Sequence, residues 1–178
     1  MSLCDDGNHN NILTLNNYAF YYMFGNATST GTLDASGLHL PYCSGTYCYG
    51  NLFRTNTALT VAPKELPAKQ LTKQCYQGMF YNCPNLVTGP EVIAANTVVD
   101  QSFRIMFSGC SKLTSTPRFE IKALEGTYNC YNMFYNCTSL TAINFTLPAT
   151  TLTSYCYRGI FSGCTKITQA PELPAATL

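Results

Sequence analysis

The chain has 178 residues, 46% hydrophobic and only 11% charged, against roughly 25% charged in an average soluble domain. That is the composition of one domain with a sizeable core rather than of a disordered segment. The net charge of +1 excludes a binder that tracks phosphates with a basic stripe, and no apolar run approaches the length of about 18 residues that a membrane span needs.

The opening segment, residues 1–10, has no basic n-region and no apolar h-region, so no signal peptide is expected there. A first unit begins at Leu15 and runs through Phe20, Met23 and Phe24. From Phe24 a phenylalanine returns at 53, 80, 107, 134 and 161, with spacings of 29, 27, 27, 27 and 27. Such a period signals one supersecondary unit stacked on copies of itself. Residues 1–47 diverge most from the pattern and are expected to form an N-terminal capping repeat. Residues 48–178 are regular repeats that end without a cap, all within a single domain. The natural protein is therefore expected to continue, or else to cover its last unit with a partner chain.

Within each unit, the residue seven before the phenylalanine is Asn17, Thr46, Lys73, Asp100, Thr127 or Ser154, mostly good N-cap types. Two after it stands Asn26, Thr55, Asn82, Gly109, Asn136 or Gly163, types that tolerate a left-handed helix stop. About eight residues lie between, enough for two turns of helix. Tyr76, Met79 and Phe80 fall there at i, i+3 and i+4, an apolar stripe. A leucine and a β-branched residue then predict a short strand, as in Leu59-Thr60, limited by prolines such as Pro63 and Pro90. Leu-Pro-Ala at 66–68, 147–149 and 173–175 marks the return loop. The predicted fold class is an α/β repeat solenoid, leucine-rich-repeat-like, with a short strand plus a two-turn helix per unit of roughly 27 residues.

Units such as CYQGMFYNCPNLVTGPEV and CYRGIFSGCTKITQAPELPAATL, with their F-x-x-C-x-x-L core and following Leu-Pro, resemble the BspA-type leucine-rich repeats of bacterial surface proteins. The resemblance covers about residues 15–178. It implies a bacterial or phage-borne protein at a cell surface or virion, acting by binding rather than catalysis.

Ten cysteines invite other chemistry. Cys83, Cys110, Cys137 and Cys164 share one position and read as a column of buried thiols. Cys75–Cys83 and Cys156–Cys164 are too far apart across a helix to bridge, whereas Cys43 and Cys48 could close a local disulfide. No C-x-x-C occurs and only His9 and His39 could supply imidazole, so neither a metal nor a Cys–His nucleophile is expected. No phosphate-cradling glycine motif is present. The reading is no enzyme and no cofactor.

The exposed positions are rich in tyrosine. Three before and one after the phenylalanine stand Arg104, Tyr131 and Arg158, and Tyr81 and Tyr135, all off the apolar stripe. These five residues are the expected binding site, since rigid amphipathic aromatics and arginine make good contact surfaces. The expected function is a non-enzymatic extracellular recognition or adhesion module that presents this Tyr/Arg/Thr-rich surface to a protein or glycan. The alternative is a structural spacer in a larger cell-surface or phage virion protein. Self-association through the uncapped C-terminal end is the other expected contact; no nucleic acid and no membrane span are.

Overall fold

A computed structural model of the chain describes residues 15–147 and 152–172. Cys4, His9, most of both later Leu-Pro-Ala loops and the C-terminal six residues lie outside the described residues. Regular structure is sparse. Seven strands of two or three residues are present: β1 (Leu33–Asp34), β2 (Leu59–Val61), β3 (Glu65–Leu66), β4 (Val92–Ile93), β5 (Thr97–Val98), β6 (Arg118–Phe119) and β7 (Ala123–Leu124). They pair only in parallel, β1 with β2, β4 with β3 on one side and β6 on the other, and β5 with β7. Partners such as Glu65 and Val92 lie one unit apart, as do the isolated parallel bridges Val61–Thr88, Gln70–Thr97 and Ser115–Ala142.

The expected α/β leucine-rich-repeat-like solenoid is overturned, because no helix occurs among the described residues. The segment predicted as a two-turn helix is instead a ribbon of consecutive tight turns. In the second unit, Cys48, Gly50, Leu52, Arg54 and Asn56 each donate an N–H to the carbonyl three residues back. The alternate amides, of Tyr47, Tyr49, Asn51, Phe53 and Thr55, donate to the next unit, at Lys73, Cys75, Gln77, Met79 and Tyr81. Five bonds of this kind cross each of the five interfaces between successive units.

Positive φ recurs every fourth residue, at Tyr47, Asn51 and Thr55 here and at the equivalent sites of every unit. Each such residue is third in a turn, the type II arrangement, and it interrupts the run of negative φ that a helix requires. The reason lies in spacing. The parallel strand pairs set neighbouring units about 4.8 Å apart, whereas a helix with its side chains is about 10 Å across. A turn ribbon is thin enough to stack at strand spacing, and an isolated eight-residue helix carries a nucleation cost that nothing offsets.

Ile105 (φ 51°) is the β-branched exception at a site that is Tyr22, Asn51, Gly78, Asn132 or Gly159 in the other units. A β-branched residue is strained there. Ile105→Asn is expected to raise stability by about 1 kcal/mol in chemical denaturation. In a helix the same change would instead cost a few tenths.

The apolar positions stack along the repeat axis. The six phenylalanines from Phe24 to Phe161 form a continuous column with ring centroids 5.1–5.7 Å apart and interplanar angles of 3–17°. Phe20, Tyr49, Tyr76 and Phe103 make a second. The thiol column is present, with a purpose that burial alone does not explain. Cys83, Cys110, Cys137 and Cys164 each donate S–H to the phenylalanine carbonyl of the preceding unit, at 2.9–3.1 Å. Asn56 fills the same role through Nδ2 on Phe24 C=O, 2.9 Å. Cys43 bonds not to Cys48 but to Cys75 of the next unit, with Cα atoms 6.5 Å apart.

Candidate recognition surface

Where the turn ribbon meets solvent, the residues six and three before each phenylalanine form one stripe along the axis. At its N-terminal end Tyr18 stacks on Tyr47 (5.2 Å, 11°), and Tyr21 packs edge-on against both. Burial is the main cause that holds the Tyr47 phenol above its ordinary range, so it remains a hydroxyl at neutral pH. Gln74 donates Nε2 to that hydroxyl and to Gln77 Oε1. One unit on, Arg104 Nη1 donates to Gln101 Oε1 at 3.0 Å.

Beyond this the stripe becomes cationic. The Arg104 and Arg158 guanidiniums sit 5.6 and 5.9 Å from the Tyr131 ring centroid. Tyr128 and Tyr155 stack at 4.7 Å, and Arg158 lies 5.3 Å from Tyr155. Among the described residues neither arginine forms an ion pair.

Three of the five predicted site residues, Arg104, Tyr131 and Arg158, are therefore brought into one contact group. The other two are not part of it. Tyr81 is held under Arg54, 4.2 Å from ring centroid to guanidinium, and Tyr135 stands exposed two units further along the same position. The pattern Tyr, Tyr, Gln, Gln, Tyr, Tyr six before the phenylalanine, from Tyr18 to Tyr155, was the missed signal. Assigned to the first turn of a helix, it has no partner in the next unit; in a turn ribbon it stacks on itself.

The stacking also decides what the stripe can offer. Within the stripe most ring faces meet neighbouring rings or guanidiniums, while Tyr18, Tyr21 and Tyr155 stay well exposed, so solvent meets phenol hydroxyls, part of the ring surface, carboxamides and guanidinium N–H groups. This is a surface of tyrosine rings and hydrogen-bonding groups that carries two positive charges without an ion-pair partner among the described residues.

Two concavities compare poorly with it. A pocket of about 290 Å³ lined by Phe24, Leu33, Ala35, Leu38 and Phe53 has Asp34 as its charged member, and that carboxylate accepts the Ser36 N–H at 2.8 Å. A groove of about 440 Å³ over Thr57, Thr60, Asn85 and Lys112 has its polar groups bonded to one another: Lys112 Nζ donates to Asn85, and Asn85 to Thr57 C=O. No three His, Cys, Asp or Glu side chains among the described residues are placed to hold a metal. No helix among them is long and apolar enough to cross a membrane. No family model, curated protein or solved structure matches the chain.

Proposed function

We propose that the chain is a non-enzymatic recognition module, acting at a cell surface or on a virion, that binds a protein or glycan through the Tyr/Gln/Arg stripe. One observation carries this reading: the Tyr128, Tyr131 and Tyr155 rings and the Arg104 and Arg158 guanidiniums form a continuous solvent-facing group. A surface serving only to separate other domains has no need of it. The unpaired guanidiniums favour a ligand bearing carboxylate or sulfate groups, which arginine meets through paired N–H donors. The disulfide Cys43–Cys75 supports an oxidising environment, and the remaining described thiols are buried or half-buried.

A glycan array with neutral and acidic members, paired with a cell-surface binding assay, tests the reading. Binding is expected, and Arg104→Ala with Arg158→Ala is expected to weaken it at least tenfold, with a stability cost of about 1–2 kcal/mol from the lost cation–π contacts that leaves the fold intact. Absence of binding on both supports instead the structural spacer, and binding untouched by the double variant overturns the assignment of the stripe.

A further inference from the structure

Along the stripe the same side-chain positions return at a fixed step. The ring centroids of Tyr18 and Tyr47 are 5.2 Å apart and those of Tyr128 and Tyr155 4.7 Å, each pair one unit apart. Three residues before the phenylalanine, the third to sixth units carry Gln77, Arg104, Tyr131 and Arg158, so the cations occupy alternate steps. Both guanidiniums rest against the Tyr131 ring between them, 5.6 and 5.9 Å from its centroid. Arg104 belongs to the unit before that ring and Arg158 to the unit after it. They therefore stand about 10 Å apart along the axis, two steps of the spacing set by the parallel strand pairs. Each is also held from its own unit: Arg104 donates Nη1 to Gln101 Oε1, and Arg158 lies against Tyr155. Guanidiniums held in this way lose less freedom on pairing with a carboxylate than mobile ones do.

A fixed pair of cations at this separation selects among acidic ligands. An extended peptide brings side chains to one face about every 6.8 Å, out of step with cations about 10 Å apart. A net charge of +1 gives no basic stripe for a phosphate backbone. A chain of pyranoses joined equatorially through positions 1 and 4 fits better, because each ring advances by nearly one unit step. Successive rings in such a ribbon are flipped by half a turn, so a carboxylate on one edge recurs at every second sugar. That is the alternation of Arg104 and Arg158. The sugar between them faces Tyr131, and Tyr128 and Tyr155 beside it offer hydroxyls and apolar ring surface together.

We propose, on the reading that this stripe is the binding surface, that its ligand is a linear acidic polysaccharide lying along the repeat axis. Carboxylates two sugars apart pair with Arg104 and Arg158, and the intervening sugar sits over Tyr131. The repeat of the protein then measures the repeat of the polymer, one unit to one sugar.

Isothermal titration of the 178-residue chain with β-1,4-linked oligomannuronates of two, three and six residues tests this. The disaccharide has its carboxylates on opposite edges and reaches one arginine, whereas the trisaccharide reaches both. Affinity is expected to rise about tenfold from two residues to three. Arg104→Ala or Arg158→Ala alone is expected to return the trisaccharide to about the affinity of the disaccharide, with the circular dichroism spectrum unchanged. Hexaguluronate has the same composition and charge as hexamannuronate but axial linkages and a different step. It is expected to bind about tenfold more weakly than hexamannuronate, as is an end-blocked hexaglutamate peptide. A trisaccharide no tighter than the disaccharide, guluronate equal to mannuronate, or hexaglutamate bound more tightly would overturn the proposal while leaving an arginine-dependent recognition surface. So would failure of all these probes on a chain whose binding to a glycan array or cell surface depends on the two arginines. Loss of that binding as well removes the recognition reading itself.

Discussion

Phe107→Ala is expected to cost about 3–5 kcal/mol in denaturant unfolding, the range for removing a buried aromatic side chain and leaving a cavity. The ring is fully buried and lies between Phe80 at 5.1 Å and Phe134 at 5.2 Å, nearly parallel to both. Its neighbours cannot close the gap, because five hydrogen bonds on either side fix the separation of the units. The cavity term is thus retained in full. The end of the column provides the comparison. Phe161 is only half-buried and stacks on one described phenylalanine ring, Phe134, so Phe161→Ala is expected to cost less than half as much. Equal costs at the two sites would mean that the rings do not stack as a column.

Raising the pH above 9 is expected to remove stability steeply. Burial pushes the Cys83 thiol up to about 12 from an ordinary value of 9.0, and burial likewise pushes Cys110 and Cys130 upward. A thiol held protonated in the fold but free to ionise when unfolded leaves stability intact below the unfolded value of 9.0. Above it the unfolded state has lost protons that the native state keeps, and stability falls until the folded value is passed. Each such group contributes a slope of about 1.4 kcal/mol per pH unit, so three together remove about 4 kcal/mol by pH 10. Unfolding midpoints in urea between pH 7 and 10.5 measure this. Cys110→Ala is expected to reduce the slope by about a third while lowering the plateau below pH 8, where it removes an S–H bond to Phe80 C=O. A flat profile from pH 8 to 10.5 would rule out the buried, protonated column.

Much of this architecture is legible before any coordinates. The 27-residue return of phenylalanine, with cysteine three residues later, dictates stacked units whose apolar positions form columns, because a core position repeated at fixed spacing must meet its own copy. The columns at Phe80, Phe107 and Phe134 and at Cys83, Cys110 and Cys137 follow from that alone. The helix does not, although Tyr76, Met79 and Phe80 suit it. A stripe at i, i+3 and i+4 also fits a ribbon in which buried pairs such as Cys75-Tyr76 and Met79-Phe80 recur every four residues. The discriminating signal was Asn51, Gly78, Asn132 and Gly159 two residues before the phenylalanine, the same types that stand two after it. Residues suited to positive φ at both places mark a turn repeated every four residues, not a single helix stop.

The choice between helix and ribbon belongs to the tertiary structure. Half of the ribbon's amides have no partner within their own segment, and an isolated unit would leave them to water. Only the neighbouring unit, held at strand spacing by the parallel pairs, supplies the carbonyls that complete them. The candidate surface divides in the same way. Composition and phase put Arg104, Tyr131 and Arg158 on the outside. Their assembly with Tyr128 and Tyr155 into one stripe, and the separation of Tyr81 and Tyr135 from it, depends on which side chains the next unit brings within contact, about 5 Å away along the axis.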